Sequence, residues 1–373
     1  MNYKFVLSPV LFIVLLVSCS SWEMDVIDFT PLPLDDWEIS TPEAEGLGRG
    51  LLEELYFNAG KREKLYGLLI IKNDKLIAEQ YFNGGSIDQE ALIQSVSKSY
   101  ISALVGIALD QGYLESLDQK MMDFFPEYED EIRDPRKFDI TLRHMLEMRA
   151  GYPREESDPT LWDAFMAGDH VPLIVHVPLI NDPGTVYHYS TMTSDWLGII
   201  VSRATGRDLR EYAQEALLNP IESQTGEWTS MAYDPEYYYS GMFRFTARDK
   251  AKFGLLYLHD GMYQGHQVIS KEFVNLSQVS YTSNPTVEMG FSSVGEFKNF
   301  GYGYQWWSAD AGHHQVNMAW GHGGQLIVLI DDLSMVIVVT TDPFHRNHFG
   351  NSWKYEKATL KMVADFIAEL PKE

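Results

Sequence analysis

The stretch Gln94–Tyr113, QSVSKSYISALVGIALDQGY, decides how the rest of the chain is read. Ser95 and Lys98 stand three positions apart, so a helix that starts here carries both on one face. Behind them Ile101, Leu104, Val105, Ile107 and Ala108 form a nearly continuous apolar run, the pattern of a helix enclosed on most sides. A hydroxyl at the start of such a helix sits beside free backbone N–H groups and the positive end of the helix dipole, where a developing oxyanion is stabilised. Acyl transfer needs that geometry. Taken alone, the pair also fits an N-cap serine followed by a solvated lysine, so the assignment depends on what the remaining sequence supplies.

The chain has 373 residues, 45% of them hydrophobic, enough for one large domain or two closely packed ones. Its formal charge of -24 gives no basic footprint, which argues against a nucleic-acid partner. Lys4 precedes an apolar run from Phe5 to Val17, too short to span a bilayer and suited to a signal-peptide core. The run ends Leu16-Val17-Ser18-Cys19, which resembles a bacterial lipobox, and Cys19 is the only cysteine. The expectation is a signal peptide over 1–18 and a lipid-anchored Cys19, with Ser20 weighing toward the outer membrane of a bacterial envelope. Residues 19–45 are acidic and proline-bearing and read as a tether, leaving 46–373 as the folded domain.

At the end of the tether Ser40-Thr41-Pro42 predicts the start of a helix that runs to about Asn58. Leu65–Ile71 and Leu76–Phe82, joined across Asn73-Asp74, predict a β-hairpin. After the Ser95 helix the pattern is helical to about Gly226, including Ile140–Leu146 with Thr141 as cap and Leu209–Leu218. Asp249–Tyr257 predicts one more helix. Tyr302–Trp307, Gln325–Ile330 and Met335–Thr341 predict strands, and Glu356–Leu370 a closing helix. Strands at both ends imply one sheet built from both termini, from 46–95 and 240–373, with a mainly helical lobe of 96–239 inserted.

Two further stretches offer partners for Ser95. PGTVYHYST, Pro183–Thr191, is a turn that delivers Tyr189, whose phenol can pass protons if an ammonium lies beside it. Gly321-His322-Gly323-Gly324-Gln325 enters an apolar strand; its glycines let a ligand approach the backbone, and Gln325 N–H can serve as a second oxyanion donor with that of Ser95.

Ser95-Val96-Ser97-Lys98, Tyr189 and His322-Gly323-Gly324 occur in the order and spacing of the three motifs of penicillin-recognising serine hydrolases. The chain resembles the branch that holds class C β-lactamase-like proteins, β-lactamase-type esterases and 6-aminohexanoate-dimer hydrolases. Segments such as ITLRHMLEMRAGY and FGYGYQWW extend the likeness from about Leu47 onward. The resemblance implies a β-lactamase/transpeptidase-like α/β (α+β) fold, with an antiparallel sheet flanked by helices. It implies Ser95 as nucleophile, neutral Lys98 and Tyr189 as general base and acid, His322 at the third motif, Gln325 N–H in the oxyanion hole, and no metal or cofactor.

Thr191 stands where penicillin-binding members carry an asparagine, and His322 where they carry a lysine. Both departures favour a small-molecule or peptide ester or amide over a β-lactam. The alternatives are β-lactamase or D-Ala-D-Ala carboxypeptidase activity, or a non-catalytic peptidoglycan-binding protein of the same fold. Trp228, Tyr237, Tyr238, Trp306 and Trp307 are candidate pocket aromatics. A metal hydrolase built on His313, His314, His345 and His348 lacks an acidic ligand at a recognised spacing.

Overall fold

The computed structural model describes residues 27–168, 170–231, 237–344 and 352–372. The apolar leader, Cys19, His345 and His348 lie outside the described residues. Strands β1 (Leu65–Lys72) and β2 (Lys75–Tyr81) form the predicted hairpin. Asn73 (φ 49°) and Asp74 (φ 67°) supply the two left-handed residues that a tight hairpin turn demands.

The chain then passes through the helical region and returns as β3 (Thr282–Ser283), β4 (Phe297–Tyr302), β5 (Trp307–Ala311), β6 (His314–Gly321), β7 (Gln325–Ile330) and β8 (Met335–Thr341). The strand order is β2-β1-β8-β7-β6-β5-β4-β3, every neighbour antiparallel, so the sheet is assembled from both termini as expected.

The sheet is apolar on both faces because helices cover both. Leu326, Val328 and Ile330 of β7 pack in the core that holds α1 (Arg49–Gly60) and the closing helix, whereas Ile327 and Leu329 belong to the opposite core, which holds α2 (Ser97–Asp110). Alternate residues of a strand point to opposite sides, so one β7 serves two cores. In α2 every residue from Ser97 to Ala108 is buried, which places the helix that follows Ser95 between the sheet and the helical lobe. The remaining helices that matter for the site are α3 (Thr191–Thr205), α4 (Ala247–Leu258) and α5 (Ser352–Ala368). Ser190 and Thr246 cap α3 and α4 through side-chain oxygens, each worth about 1 kcal/mol. The Thr141 cap also forms, accepting from His144 N–H at 3.2 Å.

Four expectations need correction. Residues from Phe29 to Glu45 do not hang free: Phe29 is buried, Glu79 N–H donates to Phe29 O (2.8 Å) and Leu76 N–H to Glu38 O (2.9 Å). They cover the edge of β2, and the buried Arg248 ties them down through Asp36 and Glu79. The first helix begins at Arg49 rather than near Pro42, because Gly46 adopts φ 79° and ends the short turn that Thr41 caps. Tyr302–Trp307 is not a strand but the turn between β4 and β5, with Gln305 at φ 60°. Strand β6 was not anticipated, since Gln315 and Asn317 interrupt its apolar residues; they simply occupy its more accessible side. Among the described residues no helix is long and apolar enough to cross a membrane.

Candidate active site

Ser95 lies in a single 3₁₀ turn, Gln94–Val96, that feeds directly into α2. Its hydroxyl makes no cap hydrogen bond, so the plain N-cap reading does not describe it. Gln94 holds φ 54°, a left-handed conformation that costs a non-glycine residue on the order of 1 kcal/mol. Ser97 Oγ–H donating to Gln94 O (2.6 Å) and Ile93 N–H donating to Phe243 O (3.1 Å) hold that bend. The bend turns Ser95 out of the core to face a cavity of about 430 Å³ that Tyr189 and His322 also line.

Lys98 is 1% exposed, and its Nζ donates to Ser95 Oγ at 3.1 Å. The same Nζ stands 5.2 Å from the centre of the Tyr189 ring. Tyr189 is held at the mouth of α3 by its N–H to Glu288 Oε2 (3.2 Å) and by stacking on Trp307 at 5.8 Å. Ser190 caps the helix behind it. Serine, amine and phenol therefore meet although 94 residues separate the first from the last.

Strand β6 closes the other side. A Cβ added at Gly321 would lie 2.4 Å from Ile93 O and 3.1 Å from Ser95 N, so only glycine lets this strand end lie against the Ser95 turn. The next residue, His322, reaches the cavity. Gly323, Gly324 and Gln325 are not in its wall. Gly323 N–H donates to Glu356 Oε2 (2.8 Å) and Gly324 N–H to Gly321 O (3.1 Å). Their left-handed φ values, 84° and 89°, and the packing of their Cα atoms on Pro343 and Thr359 explain the glycines, not ligand approach. The Gln325 side chain points the opposite way, to Thr341 O (2.6 Å) and Lys250 Nζ (3.2 Å). The backbone N–H of His322 makes no hydrogen bond to another described residue.

Thr191 is also outside the wall: it is the first residue of α3, and its N–H donates to Glu155 Oε1. Glu155 is 1% exposed; burial raises its carboxyl pKa, and its own backbone N–H, that of Thr191 and the charge of Lys98 oppose the rise. Of the candidate aromatics only Trp307 lines the cavity. Trp306 is buried against Tyr257, Trp228 stacks on Phe243, Tyr238 leans on Trp228, and Tyr237 binds Arg203. Trp320 and Trp353, which sequence reasoning missed, complete the wall with Glu356. Glu156 and Glu288 line it too, and Arg154 there pairs with Glu156. Nothing in the spacing of these residues marks them: they come from strands, a loop and α5.

His314, the histidine of the metal alternative that falls in a strand, is committed to Asp332 Oδ2 (2.8 Å) and Leu370 O (3.2 Å). Among the described residues no group of three acidic, histidine or cysteine side chains is placed to hold a metal ion.

Comparison with known proteins gives the class. The family model described as Beta-lactamase matches residues 63–360, so the chain belongs to the Beta-lactamase family, and it is a serine hydrolase of that fold. It is 24% identical over 298 residues to the 6-aminohexanoate-dimer hydrolase of Paenarthrobacter ureafaciens, covering 76% of this chain and 74% of the relative. Among solved structures it is similar to EstCE1, described as a hydrolase with promiscuous acyltransferase activity. That match has a TM-score of 0.66 at 15% identity and covers 87% of this chain and all (100%) of the other. The octameric penicillin-binding protein homologue from Pyrococcus abyssi matches with a TM-score of 0.61 at 17% identity, over 79% of this chain and 73% of the other. These likenesses establish the β-lactamase/transpeptidase-like fold.

Proposed function

We propose that the protein hydrolyses a carboxylic ester or amide through an acyl-enzyme on Ser95. The observation that carries this reading is the 3.1 Å contact between Lys98 Nζ and Ser95 Oγ at a cavity that Tyr189 also lines. Lys98 Nζ takes the hydroxyl proton while Ser95 Oγ adds to the substrate carbonyl. The resulting oxyanion is held by two amides, Ser95 N–H and, in place of Gln325 N–H, His322 N–H. Neither donates to another described residue, and Gly321 draws their two segments together. Collapse expels the alcohol or amine, with the Tyr189 phenol handing it a proton that is restored from Lys98. Water then adds to the acyl carbonyl, its proton passing to the same pair, and Ser95 departs with its hydrogen regained.

The substrate reading rests on charge. Glu156, Glu288 and Glu356 all line the cavity, and Arg154 is paired with Glu156. A substrate carboxylate, as in a penicillin or a D-Ala-terminated peptide, meets like charge there, at a site where His322 replaces the usual lysine. Steady-state assays of a p-nitrophenyl ester, a penicillin and a D-Ala-D-Ala peptide test it. The ester turns over; faster turnover of either carboxylate-bearing compound would reverse the assignment. The lipobox-like Leu16–Cys19 supports anchorage of the mature protein in a bacterial envelope. Retention in the membrane fraction that Cys19→Ser abolishes is the expected result; a soluble wild-type protein would refute it.

A further inference from the structure

The cavity contains a carboxylate that the proposed mechanism leaves unused. Glu356, on the second turn of α5, has a side chain only 4% exposed. Its Oε1 accepts from Trp320 Nε1–H at 2.8 Å. Its Oε2 accepts from Gly323 N–H at 2.8 Å and lies 3.0 Å from His322 Nδ1. All three contacts go to one four-residue segment, 320–323, which carries both the end of β6 and the histidine that faces the substrate. A carboxylate withdrawn from water is destabilising unless donors satisfy it, and here every donor comes from this corner.

We propose that Glu356 is the positioning residue for His322: it fixes the imidazole in the Nδ1–H tautomer and so makes Nε2 the nitrogen offered to the cavity. The argument is one of valence. Nδ1 faces an oxygen that is already an acceptor, so Nδ1 carries the hydrogen, and neutral imidazole has only one. Nε2 is then an acceptor. With the proposed function as its premise, Nε2 accepts a hydrogen bond from the attacking water whatever the acyl compound, and this gives the site a preference for compounds whose leaving side presents a donor, as an amide N–H does. Trp320 serves the same end, since its indole N–H pins Glu356 while its ring stacks on Trp353 at 5.9 Å. The neighbouring charges are Lys64 and Asp342 near Glu356, and Arg154, Glu156 and Glu288 elsewhere in the cavity wall. Burial lowers the Lys64 pKa, with Glu356 and Asp342 opposing.

Nitrogen-15 NMR of the full chain with labelled histidine reads the tautomer directly, the His322 signals being those missing from His322→Asn. Above the titration range of histidine, wild type shows a protonated Nδ1 and a bare Nε2. Glu356→Gln shifts the signals toward the Nε2–H form, which free imidazole side chains prefer. A wild-type His322 already in the Nε2–H form would overturn the proposal whether or not Glu356→Gln folds. Kinetics supply the second arm. Glu356→Gln lowers kcat/KM for the p-nitrophenyl ester roughly tenfold in wild type, the scale of one charge-assisted hydrogen bond, and less than twofold in His322→Ala. Equal losses in both backgrounds would make Glu356 a merely structural residue. Absence of turnover by wild type would instead sink the hydrolase reading and leave the tautomer result standing.

Discussion

The cavity has two walls, built by different rules. The Ser95 wall is local: Gln94, Ser95, Ser97 and Lys98 sit on one bend and the first turn of one helix, and hydrogen bonds within the segment shape it. The wall opposite is assembled from afar, by Trp307 of β5, Trp320 and His322 at the end of β6, and Trp353 and Glu356 of α5. A local wall keeps Ser95 and Lys98 in register whatever the rest of the sheet does. A wall drawn from separate elements can change its side chains one at a time.

Changes to the two walls therefore differ in size and kind. Lys98→Met leaves the hydroxyl without its base, and kcat for the p-nitrophenyl ester falls by roughly 10³-fold or more with little change in KM, as measured by steady-state kinetics. A loss below tenfold would break the comparison, because the local wall would then not carry the chemistry. Gly321→Ala strikes where the walls touch. Its Cβ, 2.4 Å from Ile93 O, pushes β6 off the Ser95 turn. Stability drops by about 1–3 kcal/mol in thermal or urea melts, and kcat by about 10²-fold, beyond what unfolding explains. His322→Ala keeps its own backbone amide and loses only the ring, so kcat/KM falls about tenfold with the melting temperature nearly unchanged.

The smallest effect lies behind the second wall. Lys250 is fully buried with Gln325 Oε1 (3.2 Å) and Val339 O (2.7 Å) as its partners among the described residues, and burial lowers its pKa to about 7. The unfolded chain keeps that proton to about pH 10.4, so between the two values the unfolded state binds more protons and stability rises with pH. Lys137, lowered to about 8 by burial, acts in the same direction. The contribution of Lys250 is therefore read as the difference between wild type and Lys250→Met. Denaturant melts from pH 7 to pH 9 show a shallower rise in the variant; parallel curves would mean Lys250 keeps its charge in the fold.

The same division governs what could be read before the structure was known. Ser95, Lys98 and the apolar run behind them are legible because helical spacing alone puts them together. The hairpin at Asn73-Asp74 and the Thr141 cap are likewise short-range. The reading of Gly323 and Gly324 as room for a ligand fails because their glycine pattern is equally that of a tight turn packed on Thr359 and Pro343, and only long-range packing tells the two apart. Glu356 carries no local mark at all. It lies 34 positions beyond His322, on a helix whose other residues read as a routine amphipathic segment. The covering of β2 by Phe29 to Glu45 was hidden by composition, since an acidic, proline-bearing stretch looks the same whether it waves in solvent or lies along an edge strand.

The central claim is that one hydroxyl, that of Ser95, becomes acylated. Intact-mass spectrometry of the protein quenched early in a reaction with a p-nitrophenyl ester, followed by peptide mapping, measures this directly. The account predicts a transient mass gain of one acyl group on the peptide that contains Ser95, absent in Ser95→Ala. An adduct on another residue, or undiminished turnover by Ser95→Ala, would contradict it.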